Sequence, residues 1–139
     1  IPMAAALIAG SLTAVVVAVT VAAAFGASIE TLLSLAPKSA TTPIAMGVAE
    51  RIGGAPALTA VLVILTGVIG AVCAAPLLNI CHVKDPKARG FAMGVAAHGI
   101  GAARGFQESE RTGAFAGIGM GLNGLATAII APLIVAWLL

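Results

Sequence analysis

The chain has 139 residues, of which 60% are apolar and only 9% charged, and its net charge is +2. A water-soluble domain carries roughly a quarter charged residues, so lipid is the expected solvent here, and apolar runs of membrane-spanning length exclude a buried soluble bundle. So small a charge, with no basic stripe and no RNA-binding aromatic motif, excludes nucleic acid as a partner.

The sequence opens Ile1-Pro2-Met3, with no charged leader and no cleavage site, and reads as the later part of a longer membrane protein. Met3–Phe25 is uncharged and apolar, enough for one span at about 1.5 Å per residue. Gly26–Glu30 punctuates its end. Ser28 is placed to cap a new helix, and Glu30 falls in the first turn, where the helix dipole favours an acid. Residues 28–53 then read as a broken helix. Pro37 and Pro43 each remove a backbone donor, and Thr42-Pro43 is a helix-start pair. One helix is expected to end near Ala36 and another to begin near Pro43. Gly53-Gly54 after Glu50-Arg51-Ile52 is a stop signal. Ala57–Leu78 is a second clean span. Residues 79–89 form a basic loop, with Lys84, Lys87 and Arg89 against Asp85, and the positive-inside rule places it in the cytoplasm. Residues 89–111 hold a weaker segment, broken or terminating around Gly99 and Gly101. Residues 113–139 form the last span. There Gly113, Gly117 and Gly121 recur every four residues, a spacing that lets helices approach closely, whether in one chain or between copies in a homo-oligomer. The expected fold is an all-α polytopic membrane bundle with interrupted helices, forming a single membrane domain over residues 1–139. A broken segment followed by a clean span occurs twice, which suggests a repeated helix-pair unit.

Two clusters hold the polar chemistry. In the first, Lys38, Ser39, Thr41 and Thr42 lie in the break between Pro37 and Pro43. A helix N-terminus offers free N–H groups and partial positive charge, so this link is a candidate site for a small organic anion, with Lys38 balancing its carboxylate. The competing reading has Lys38 snorkelling to an interface and the threonines serving only as caps. The second cluster is His98, Arg104 and Glu108. The planar fork of Arg104 suits a carboxylate. His98 and Glu108 are candidates for a coupling proton, although His98 would serve equally as a packing hydrogen bond. Arg104 and Glu108 are spaced to pair on one helical face. Gly99-Ile-Gly101 lacks the third glycine and the βαβ setting of a dinucleotide fingerprint. Cys73, Cys81 and His82 do not make a zinc set. No triad, paired catalytic acids or metal set is legible, so neither enzyme activity nor a cofactor or metal is expected.

Several of these stretches form longer signatures: Leu35-Ala-Pro-Lys-Ser-Ala-Thr-Thr-Pro-Ile-Ala-Met46, Glu50-Arg-Ile-Gly-Gly54, Thr66-Gly67-x-x-Gly70, Ala97-His-Gly-Ile-Gly-Ala-Ala-Arg104 and Gly121-Leu-Asn-Gly124. They closely resemble the LrgB family of membrane proteins (LrgB/CidB/YohK-like), specifically its C-terminal portion. The resemblance implies a multi-pass protein of the bacterial inner membrane, working with a smaller LrgA-type holin-like partner. Two functions come with it. One is carriage of small organic monocarboxylates of the pyruvate or glycolate and glycerate type. The other is antiholin-like regulation of murein hydrolase export and cell lysis. The broken helices and the anion-ready helix start favour the carrier, with Lys38, Ser39, Thr41, Thr42 and Arg104 binding the anion.

Overall fold

The computed structural model describes residues 2–139 and contains six helices: α1 (Pro2–Ala24), α2 (Ile29–Leu35), α3 (Thr42–Ile52), α4 (Pro56–Ile80), α5 (Pro86–Glu108) and α6 (Glu110–Leu138). The protein is an all-α bundle. Helices α1, α4 and α6 are long and apolar enough to cross a membrane. Large apolar side chains such as Val17, Ile69 and Leu125 lie exposed on their outer faces, as lipid rather than water requires.

Local chemistry sets most of the helix ends. Ser28 caps α2, its hydroxyl accepting from Thr31 N at 3.3 Å. Gly53 ends α3 in the left-handed region at φ 89°, a conformation that costs glycine nothing. The start of α3 lies one residue before the Thr42-Pro43 expectation: Thr41 occupies the cap position and makes no side-chain bond to the helix. The basic loop is also shorter than the sequence suggests. Asp85 accepts from Lys87 N at 3.1 Å and Pro86 opens the helix. As a result Lys87 and Arg89 are already helical, and only residues 81–85 connect α4 to α5. A single residue, Ser109, separates α5 from α6, and its hydroxyl accepts from Thr112 N at 3.0 Å.

The two broken segments are both hairpins. Between α2 and α3, Pro37 and residues 38–41 turn the chain back, with Ala40 N donating to Pro37 O. The returning chain brings Gly54 against the backbone of Ser34, and Ala55 N donates to Ser34 Oγ at 2.8 Å. Helix α5 folds on itself in the same manner. Its backbone leaves helical geometry at Ala97 (φ −130°, ψ 19°) and His98 (φ 41°, ψ −131°). Beyond that point Gly101 lies against the Met93 carbonyl, and Arg89 bonds Glu108, 19 residues on, at 2.8 Å. A straight helix would hold those two residues about 28 Å apart. Gly99 and Gly101 therefore lie just past the break, in the second limb, and Gly101 is used for close approach between limbs. His98 instead takes the positive φ, which carries a cost of about 1–3 kcal/mol for a non-glycine residue.

The hairpins enter from opposite sides. The chain crosses in α1, enters and returns in α2–α3, crosses back in α4, enters and returns in α5, and crosses again in α6. Hairpin α2–α3 fills one half of the bundle, where Leu32, Ala36 and Val48 pack with Val15 and Val19 of α1 and Ala131 and Val135 of α6. Hairpin α5 fills the other half, where Met93 and Ala102 pack on Ala116 of α6 and Ala74 and Leu78 of α4. Two hairpin-plus-span units of opposite direction result, an arrangement that membrane carriers use to build midplane sites.

Candidate functional site

The two hairpin tips meet inside the bundle. Ala40 and Ala45 of the first tip pack on Val63 of α4. His98 of the second tip donates from Nε2 to the Val63 carbonyl at 2.8 Å, since a carbonyl oxygen can only accept. Room for the imidazole comes from Gly67, where a Cβ would lie 2.7 Å from His98 Nε2, and from Gly70, where it would lie 2.7 Å from Ala97 Cβ. The Thr66-Gly67-x-x-Gly70 run of α4 is thus the seat of the second tip. Val63 and Gly67 lie roughly 10–17 Å along α4, near the middle of a hydrocarbon core about 30 Å thick.

On the opposite wall, Asn123 of α6 is fully buried and bonds three elements. Its Nδ2 donates to Ser39 O at 2.9 Å and to Val95 O at 3.1 Å, and its Oδ1 accepts from Ser11 Oγ at 2.6 Å. The sequence carries Asn123 only as part of the Gly121-Leu-Asn-Gly124 signature and does not single out Ser11. The available signal was polarity at depth, because an amide or hydroxyl in the middle of an apolar span needs a partner from another helix. Among the described residues, no buried side-chain nitrogen or oxygen is left without a hydrogen-bond partner.

A groove of about 800 Å³ leads to this meeting point. Its mouth is at Asp85 and Lys87, with Lys87 Nζ 5.8 Å from the centre of the Phe115 ring. Its walls are the first half of α1 and the Phe91–Val95 face of α5, and it reaches Lys38 and Ser39 at the first tip. Lys38 is half-buried and, among the described residues, has no ion-pair partner. Away from the mouth the walls are apolar apart from the hydroxyl side chains of Thr13 and Ser39, and Lys38 is the one charged side chain there.

The remaining sequence candidates lie elsewhere. Thr41 and Thr42 are half-buried at the start of α3 and do not line the groove. Arg104 is in the second limb of α5, outside the groove, with one long bond of 3.5 Å to Gln107. Glu108 pairs with Arg89 instead of Arg104, through Nε–Oε2 at 2.8 Å and Nη2–Oε1 at 2.9 Å. That two-point bond, followed by the charge of Arg89 and then of Arg104, holds the Glu108 carboxyl below the usual carboxylate range. A carboxylate held ionised in this way is poorly suited to carry a proton near neutral pH. Cys73 and Cys81 are free and exposed.

Comparison with known proteins places this architecture. The LrgB-like family matches residues 1–137. The antiholin-like protein LrgB of Bacillus mycoides is 38% identical over 128 residues, covering 92% of this chain and 56% of that protein. The same figures hold for the antiholin-like protein LrgB of Bacillus cereus strain B4264. The uncharacterized protein YwbG of Bacillus subtilis is 40% identical over 105 residues, covering 76% of this chain and 47% of YwbG. The chain therefore spans about half the length of the curated relatives it matches. No solved structure matches it. With bacterial relatives and three helices of membrane-crossing length, it is a multi-pass protein of the bacterial inner membrane, and it belongs to the LrgB-like family.

Proposed function

We propose that this chain is part of an antiholin-like membrane protein, and that its molecular task is to pass small organic monocarboxylates, of the pyruvate or glycolate and glycerate type, across the inner membrane. The antiholin-like role rests on the names of its relatives, and an LrgA-type holin-like partner belongs with it. The carrier step rests on one observation: two hairpins entering from opposite sides meet at the end of a groove whose one deep cation is Lys38. Lys38 receives the carboxylate, and Ser39 lies beside it. Thr41, Thr42 and Arg104 would join only if the second limbs move toward the groove, and His98 is the group available for a coupled proton. An unselective pore regulating lysis is the competing mechanism, and the same assay separates the two.

In proteoliposomes, the protein should take up radiolabelled pyruvate or glycolate with saturation, and unlabelled monocarboxylate should compete. Lys38→Gln removes a charge-assisted contact of about 1.5–3 kcal/mol. It should raise the half-saturating concentration roughly tenfold or more, since about 1.4 kcal/mol is a factor of ten. Linear uptake accompanied by leakage of a larger trapped dye would overturn the carrier step and leave the pore.

A further inference from the structure

The two turns of the hairpins leave backbone carbonyls without their usual partners. Ser39 O would find its helical donor four residues on, but that residue is Pro43, which has no N–H. Val95 lies in the last turn before the break at Ala97 and His98, where helix carbonyls lose their donors. One side chain serves both. Asn123 gives one amide hydrogen to Ser39 O and the other to Val95 O, and Ser11 fixes the orientation of the amide by donating to its oxygen. Only a primary amide can donate twice and accept once from this position. Aspartate has the same shape but would set a carboxylate against two carbonyl oxygens.

We propose that Asn123 is a latch that couples the two hairpin tips. Because the hairpins enter from opposite sides of the bundle, neither tip can withdraw from the centre without breaking a bond to the amide that also holds the other tip. Displacement on one side is thereby transmitted to the other through a single side chain on α6, with Ser11 of α1 as the brace. The inference rests on the hairpin geometry and requires no particular cargo or mechanism of passage.

Paired spin labels on Gly47→Cys and Ala96→Cys, with Cys73 and Cys81 replaced by serine, report the relation between the hairpins in the lipid-embedded protein. Gly47 faces open space and Ala96 is exposed, so both positions accommodate a label. The parent should give a single narrow distance distribution, and Gly117→Ala, which adds a methyl group to open space on the same helix, should keep it. Asn123→Leu and Asn123→Asp should broaden it about twofold or split it, as two tips moving independently require, while helix content by circular dichroism stays that of the parent. A distribution as narrow as the parent's in either Asn123 variant overturns the latch, as does equal broadening in Gly117→Ala. If Asn123→Leu does not insert, Asn123→Asp decides. Loss of helix in both variants also overturns the proposal, because Asn123 would then be a requirement for folding and not a coupling element.

Discussion

Gly94→Ala should unseat α5 from α6. A Cβ at position 94 would overlap the carbonyl of Ala116 and come within 2.8 Å of Met120 N, and one turn earlier a Cβ at Gly90 would overlap the carbonyl of Thr112. The obstructing atoms are backbone, so no side-chain rotamer can move out of the way. The helices must separate, and with them the Met93–Ala102–Ala116 cluster. Ordinary overpacking costs about 1–3 kcal/mol, and this substitution should meet or exceed the upper figure. Gly117→Ala is the matched control. A Cβ there meets nothing within 4 Å, so the substitution should be neutral or should stabilise α6 by up to about 1 kcal/mol through helix propensity. Denaturant unfolding of both variants in the same detergent checks the pair. Equal stability of Gly94→Ala and the parent would mean that the close α5–α6 contact is absent.

Arg89→Ala should open the base of the α5 hairpin. The guanidinium bonds Glu108 twice, Asn79 Oδ1 at 2.9 Å and Val83 O at 3.0 Å, and so ties both limbs of α5 to the end of α4. The ion pair is partly buried, with side-chain exposures of 13% and 17%. Removing Arg89 takes the two-point partner from the partly buried Glu108 carboxylate, at a cost of about 1.5–3 kcal/mol, the range for hydrogen bonds to a charged group. Arg89→Lys should recover only part of this, because an ammonium cannot reproduce the planar two-point bond. The pair also sets a pH dependence. The folded-state pKa of Glu108 is depressed, so its contribution is complete above the unfolded carboxylate value of about 4.3 and is lost as pH falls through the lower folded value. Unfolding midpoints should therefore differ between parent and Arg89→Ala at neutral pH and converge in acid. A constant difference across that range would assign the effect to lost packing and not to the ion pair.

Much of the fold is written locally. The apolar content selects a membrane bundle, and short-range chemistry decides single positions: the Ser28 hydroxyl caps its own third neighbour, and Gly53 takes the left-handed stop. What the chain does not show locally is which parts return upon themselves. The spacing of Arg104 and Glu108 offers a pair on one helical face, but Glu108 goes to Arg89, because the turn at Ala97 and His98 brings the ends of α5 together. The glycines beside that turn look like the hinge, yet Gly101 is needed against Met93 and the positive φ falls on His98. The candidate site divides in the same way. Lys38 and Ser39 reach the groove, whereas Arg104 does not. The residue joining the two tips, Asn123, has no partner within its own stretch of sequence, since its bonds reach 112, 84 and 28 residues away. Contacts at that range depend on the completed topology.

The opposed entry of the two hairpins is the claim on which the groove, the latch and the carrier step all depend. Single cysteines at Ser28, Gly53, Asp85 and Ser109, in a protein with Cys73 and Cys81 replaced by serine, can be labelled with a membrane-impermeant maleimide applied to sealed right-side-out or inside-out vesicles. Positions 28 and 53 should react together from one side, and positions 85 and 109 together from the other. Reaction of 85 and 109 from opposite sides, or of 28 and 53 from opposite sides, would make that segment a crossing helix and contradict the account.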